Sequence, residues 1–172
     1  MTAATLAFSL NILPVYTSEN EYVLSNELMQ EYYQCNWQEK DNYMKKELNK
    51  LLIAEVAENL EMEAPDVIYY SEEETQTHGK YYVGSDSIHI NEEILYSGQY
   101  SFKAIVHELR HIWQYKRSLN PSNEQDVAFK NNYNNYTDSK DDFAAYQTQI
   151  IESDAEDYAN TIYGQLILSS RK

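Results

Sequence analysis

"AIVHELRHIWQY", residues 104–115, holds two of the four histidines in a chain of 172 residues. His107 and His111 stand four positions apart, with Glu108 between them. On a helix that spacing puts both imidazoles on one face. Two imidazoles so placed can hold one metal ion, each at about 2.0–2.1 Å. Glu108 is turned about 100° from His107, because a helix has about 3.6 residues per turn. It is thereby kept off the ion but close to it, where it can take a proton from a metal-activated water. The flanking pattern favours the helix. Phe102, Ile105, Val106, Leu109, Ile112 and Trp113 recur at helical spacing. Ser101 is the expected N-cap of a helix running to about residue 118.

Working outward from this helix, "KYYVGSDSIHIN" (80–91) predicts a β-hairpin turning at Gly84-Ser85-Asp86. Ile88 and Ile90 face one way and His89 the other, since side chains alternate along a strand. "DVIYY" (66–70) reads as a strand from its β-branched and aromatic content. "EEILYSG" (92–98) predicts a helical turn ending at Gly98. Upstream, 39–61 predicts a helix with Leu48, Leu52, Val56 and Leu60 on one stripe, Leu51 beside it, and Pro65 as its stop. A short helix is expected over 25–34. Near the start, Leu6, Phe8, Leu10 and Ile12 alternate with Ala7, Ser9 and Asn11, which suggests a strand ended near Pro14. Downstream, 118–141 is dominated by Asn, Asp and Ser and reads as a long polar loop of poor order. A last helix is expected over about 142–168.

These elements predict an α+β fold: a small antiparallel or mixed sheet with an edge hairpin, packed on the motif helix and on a C-terminal helix. The length favours one domain over 1–172. It divides into a helical N-terminal part (1–65) and a catalytic core (66–172) that contains the 118–141 loop.

Composition narrows the function. Apolar residues make up 42% of the chain, as a folded protein requires. Cys35 is the single cysteine, so disulfide frameworks within the chain and four-cysteine zinc modules are excluded. The formal charge of −15 repels phosphate backbones and anionic lipid. Neither nucleic acid nor a membrane is therefore an expected partner. The 17 tyrosines are scattered and lack the basic neighbours of a base-stacking platform. No segment has the length of a transmembrane helix. The N-terminal "MTAATLAFSLNILPVY" lacks a positive n-region, since the first Lys or Arg is Lys40. A cytoplasmic location is the expectation, and the oligomeric state is left open.

A third metal ligand is narrowed by elimination. No histidine follows His111, and the metzincin pattern fails because Gln114 and Arg117 occupy its Gly and His positions. A carboxylate on a later element is the best candidate, with His78 and His89 as outsiders. Glu152 shares its helical face with Ala145, Thr148, Ala155, Ala159 and Ile162. So small a face lets the last helix approach the motif helix closely. Asp154 is the alternative ligand, although it and Asp157 fall on other faces. Glu156, one turn after Glu152, can accept a hydrogen bond from the far nitrogen of a ligand histidine. Glu156 and Asp154 are thus candidate supporting carboxylates, of the kind that orient a ligand.

Together these segments resemble the gluzincin metallopeptidases, and most of all the minimal bacterial and phage ones of the ImmA/IrrE type. The hairpin "GKYYVGSDSIHIN", the helix "AIVHELRHIWQY" and the acidic "ESDAEDYA" carry the resemblance, which covers about 79–168. It implies a zincin-like fold and Zn²⁺ bound by His107, His111 and Glu152. It also implies Glu108 as general base and an edge strand near Ile88–Asn91 that pairs with an extended substrate. Arg110, at a position often small in such families, and the 41-residue step from His111 to Glu152 depart from the pattern. The expected activity is zinc-dependent hydrolysis of peptide bonds in a protein or peptide substrate. Zn²⁺ and Glu108 would activate the water, with Tyr133, Tyr136 or Tyr146 as oxyanion donor. The alternatives are a catalytically inactive binding or regulatory protein of the same fold, and a hydrolase of a non-peptide amide.

Overall fold

The computed structural model describes residues 24–71 and 78–169. The strand expected before Pro14 lies outside them. The N-terminal part consists of α1 (Asn26–Glu31), α2 (Gln34–Gln38) and α3 (Asn42–Asn59). Ser25 caps α1 through its hydroxyl and donates two hydrogen bonds to the Glu55 carboxylate, which ties α1 to α3. Asp41 caps α3. Leu52, Val56 and Leu60 of the expected stripe are buried, whereas Leu51 is exposed. Pro65 is not the stop. The helix ends at Leu60, where Glu61 takes a left-handed φ of 53°. Met62 N–H then donates to Ala57 O and Glu61 N–H to Glu58 O. That reversed pair of bonds satisfies the last carbonyls of a helix.

β1 (Asp66–Tyr70), β2 (Gly79–Tyr81) and β3 (Ser87–Asn91) form a mixed sheet in the order β1-β3-β2. β1 runs parallel to β3 and β2 antiparallel to it. The hairpin turns at Gly84, whose φ of +83° suits a residue without Cβ. Ile88 and Ile90 are fully buried, and His89 faces away against the Tyr82 ring. The strand expected at the edge is the central one: Ile88–Asn91 pairs on both sides, and among the described strands β1 and β2 form the edges instead.

A 3₁₀ turn at Glu92–Tyr96, capped by Asn91, leads into α4 (Gly98–Leu119). Ser97, not Ser101, caps α4, and Gly98 begins this helix rather than ending the previous turn. A Cβ at Gly98 would run into the Tyr32 carbonyl and the Trp37 ring. Ser101 is buried inside the helix and donates to Asn49 on α3. α4 crosses the molecule and touches the sheet, α3, α5 and α7.

The expected 118–141 loop contains a helix, α5 (Glu124–Asn134), capped by Asn123. It is held by fully buried Phe129, which packs edge-on against Trp113. The expected last helix is two: α6 (Phe143–Gln147), capped by Asp142, and α7 (Ile150–Ser169). Thr148 marks the break, its hydroxyl donating back to the Ala144 and Ala145 carbonyls. α7 lays Ala155, Ala159 and Ile162 into the core beside α4, so the small-residue face permits the expected close approach. No helix among the described residues is long and apolar enough to cross a membrane.

Candidate metal centre

One turn of α4 brings the His107 and His111 rings edge to face, with their Nε2 atoms 3.0 Å apart. α7 supplies Glu152, whose Oε2 lies 3.4 Å from His107 Nε2 and 3.5 Å from His111 Nε2. Ligands at about 2.0–2.1 Å from a tetrahedral ion stand roughly 3.3–3.4 Å from one another. The three observed spacings bracket that value. Oε2 is buried and has no hydrogen-bond partner, an expensive state for a carboxylate oxygen unless a cation completes it. These three residues form the cluster of metal-capable groups among the described residues. They fit a bound ion.

The electrostatics agree. Burial alone would lower the His111 pKa, but the adjacent Glu152 carboxylate, with the charge of Glu108, pushes it up to about 9. Burial works to raise the Glu152 carboxyl, and the His107 and His111 imidazoles beside it override this and hold the group well below the usual carboxylate range. The pocket is therefore a well of negative potential that favours positive charge, whether proton or metal.

The other oxygen of Glu152 is held from the α5–α6 side. Tyr136 Oη donates to Oε1 at 3.1 Å, and Tyr146 also hydrogen-bonds this carboxylate. Tyr133 donates to the His111 carbonyl at 2.9 Å. The three expected oxyanion donors thus brace Glu152 and α4. Burial pushes all three hydroxyls far up, and the Glu152 charge pushes each of them further.

Glu108 is buried beside the cluster, under β2. A Cβ at Gly79 would lie 2.9 Å from its Cγ and 3.0 Å from its Oε1, so the absence of a side chain there makes room for it. Burial raises the Glu108 pKa, tempered by the nearby histidines and by a backbone hydrogen bond from Tyr81.

Asp154, on another face of α7 than Glu152, points into the protein. It is buried, accepts Arg110 Nε at 2.7 Å and Nη2 at 3.1 Å, and accepts Gln114 Nε2 at 2.7 Å and Gln125 Nε2 at 3.3 Å. Four donors occupy it, and it stands outside the three-residue cluster. Arg110 sits between the Trp113 and Tyr158 rings. Glu156 is exposed and 3.8 Å from His107 Nδ1, beyond hydrogen-bond reach, and accepts instead from Asn160. His78 lies against Tyr100 and His89 against Tyr82, away from the cluster. Gln114, read from sequence only as a missing glycine, is fully buried with its Oε1 2.9 Å from His111 Nδ1. Its signal was present: three residues after His111, it shares that face of the helix.

A histidine pair on one helix, a buried carboxylate from another and a glutamate beside them make a metallopeptidase-like arrangement. The family described as "Putative metallopeptidase family (DUF6782)" matches residues 36–137, more than half of the chain. The chain belongs to that family. The match takes in His107, Glu108 and His111 and ends before Glu152. No curated protein and no solved structure matches the chain.

Proposed function

We propose that the protein is a zinc-dependent peptidase in which His107, His111 and Glu152 hold the ion and Glu108 handles the proton. The observation that carries this reading is the buried, unpartnered Glu152 Oε2 facing two imidazole nitrogens. Two imidazoles and one carboxylate are a donor set typical of catalytic zinc, which keeps a position open for water or substrate. Zinc bound there would acidify a water and polarise the scissile carbonyl. Glu108 accepts the proton of the attacking water and delivers it to the leaving amine. Its buried setting suits the first half of that exchange, because a carboxylate whose pKa is raised by burial is a stronger base toward the attacking water.

Substrate binding follows from the edge of the sheet. Asn91 N–H donates to His78 O, so residues 78 and 80 turn their backbone groups toward β3 and Gly79 and Tyr81 turn theirs outward. A peptide laid in extended form along β2 would pair with that outer edge, directly above Glu108. The gluzincin likeness implied such pairing at Ile88–Asn91, which is central in this sheet, so that role falls to β2.

The test is zinc readdition to metal-free protein, followed by elemental analysis and a broad peptide-library digest. About one zinc per chain and zinc-dependent cleavage are expected. A zinc ratio near zero in folded protein sinks the metal site, and stoichiometric zinc without cleavage turns the reading toward a non-catalytic binding protein.

A further inference from the structure

We infer that Gln114 is a positioning residue that sets the tautomer of His111, and that Arg110 and Asp154 act through it. The inference rests on the reading of His111 as a metal ligand. Gln114 is completely buried. Its Nε2 lies 2.9 Å from the Ile151 carbonyl and 2.7 Å from Asp154 Oδ2. Both of those atoms only accept. The amide must therefore present its N–H₂ to them and its Oε1 to His111 Nδ1. Turned over, it would set an oxygen against two oxygens and lose both bonds. A carbonyl oxygen cannot donate, so the proton between Gln114 and His111 belongs to Nδ1. In the neutral ring that metal coordination requires, His111 Nε2, the atom that faces His107 and Glu152, then carries the lone pair.

The polarity of this chain is anchored by a permanent charge. The Arg110 guanidinium has donors only and does not deprotonate in proteins. Its two bonds engage both carboxylate oxygens of Asp154 as acceptors. The guanidinium plane lies over Trp113, 3.8 Å from the ring centroid, and faces Tyr158 at 4.7 Å. Arg110 orients Asp154, Asp154 orients the Gln114 amide, and the amide orients the imidazole. The residue type follows from this. A carboxylate at 114 would face Asp154 charge to charge in a buried place, and an aliphatic side chain would bond neither neighbour. An amide donates to one and accepts from the other. Among the described residues His107 has no such brace: its Nδ1 faces the exposed Glu156 at 3.8 Å, beyond hydrogen-bond reach. The two histidines of the motif thus differ, one set from inside the protein and one open to solvent.

The test compares zinc affinity of wild type, Gln114→Leu, Asp154→Asn and the double variant by competition against a chromophoric chelator. Circular dichroism and thermal midpoints are recorded in parallel. Each single variant is expected to weaken zinc binding by about 10–100-fold, the range typical of outer partners of metal ligands. The double variant should be no weaker than the worse single one, because both act through one path. Lowered midpoints with unchanged zinc affinity, or fully additive losses, would overturn the relay. Should a variant fail to fold, long-range ¹H–¹⁵N histidine spectra of zinc-loaded wild type decide. His111 coordinated through Nε2 with a proton on Nδ1 is expected, and coordination through Nδ1 refutes the proposal. Failure of the underlying metal-site reading looks different: wild type itself would not bind zinc, or His111→Ala would bind it as well as wild type.

Discussion

The site has two sides built on different principles. On one side, α4 and β2 place His107, Glu108 and His111 by local geometry: a single helical turn under a strand that has a glycine where the glutamate needs room. On the other, α7 supplies Glu152, and α6 and the chain before it supply its two tyrosines, by long-range packing. The family match covers the first side and stops before Glu152 on the second. A short motif can state which chemistry is attempted, because the motif contains its own geometry. The completing carboxylate depends on how a distant helix docks.

The comparison is sharpest where one residue from each side is removed. Glu108→Gln keeps the shape and loses the base. Hydrolysis should fall by about 10²–10⁴-fold, with zinc still bound, since Glu108 lies outside the three-residue cluster. Full turnover in this variant would remove Glu108 from the mechanism. Glu152→Ala should reverse the pattern, losing zinc and activity together. Its loss of affinity should exceed the roughly 10–100-fold expected of outer partners. A chelator competition ranks the two. If Glu152→Ala bound zinc like wild type, the α7 side would be mere scaffold and the contrast between the sides would collapse.

A smaller effect tests whether β2 belongs with α4. In Gly79→Ala the added Cβ meets the flexible Glu108 side chain and Ile90 Cδ1 at 3.2 Å, so the carboxylate yields first. Misplacement of a reacting group by about 1 Å can cost about 10²-fold. We expect a loss of that order in kcat/KM, with zinc affinity unchanged and a thermal midpoint close to wild type. An equal fall in zinc affinity would mean that the strand supports the ligands rather than the base.

How far the sequence could be read follows the same division. α4 was legible because its apolar period and its histidine spacing are properties of a few adjacent residues. The hairpin was legible from Gly84 and the alternation around His89. Its place in the sheet was not, because the parallel pairing of β1 with β3 is a contact between distant segments, and it makes β3 central. Helix α5 was hidden by asparagines of low helix propensity. Its order comes from Phe129, its Asn123 cap and a charge pair to α4, none of which a composition can announce. From sequence, Asp154 is an alternative ligand or supporting carboxylate on another face than Glu152, and a single-stripe picture, which allows a helix one buried side, cannot say what that face meets. α7 has neighbours on more than one side, and Asp154 reaches both α4 and α5. Glu152 was reachable because small residues on its face were a packing signal within one helix.

The charge pair that anchors α5 gives the smallest prediction, on the side that the sequence read least well. Asp126 is buried and accepts Arg117 Nε at 2.6 Å, Nη2 at 3.0 Å, and the Ser122 N–H and hydroxyl. Burial works to raise its pKa, but the Arg117 and Ser122 hydrogen bonds override it and lower it below the ordinary aspartate value of 3.8. A carboxyl whose folded pKa is depressed stabilises the fold in full above its unfolded pKa and ceases to do so as pH falls through its folded one. Asp126→Asn should therefore cost about 1 kcal/mol at neutral pH, since Asn keeps one acceptor and the partly exposed Arg117 can turn to water. The gap in thermal midpoint between wild type and variant should stay constant down to the ordinary aspartate range and close below it. Both proteins carry every other titrating group, so the difference isolates this pair. A gap that persists unchanged in acid would show that Asp126 holds α5 by shape alone, and that the charge of Arg117 plays no part in ordering the helix between the two sides of the site.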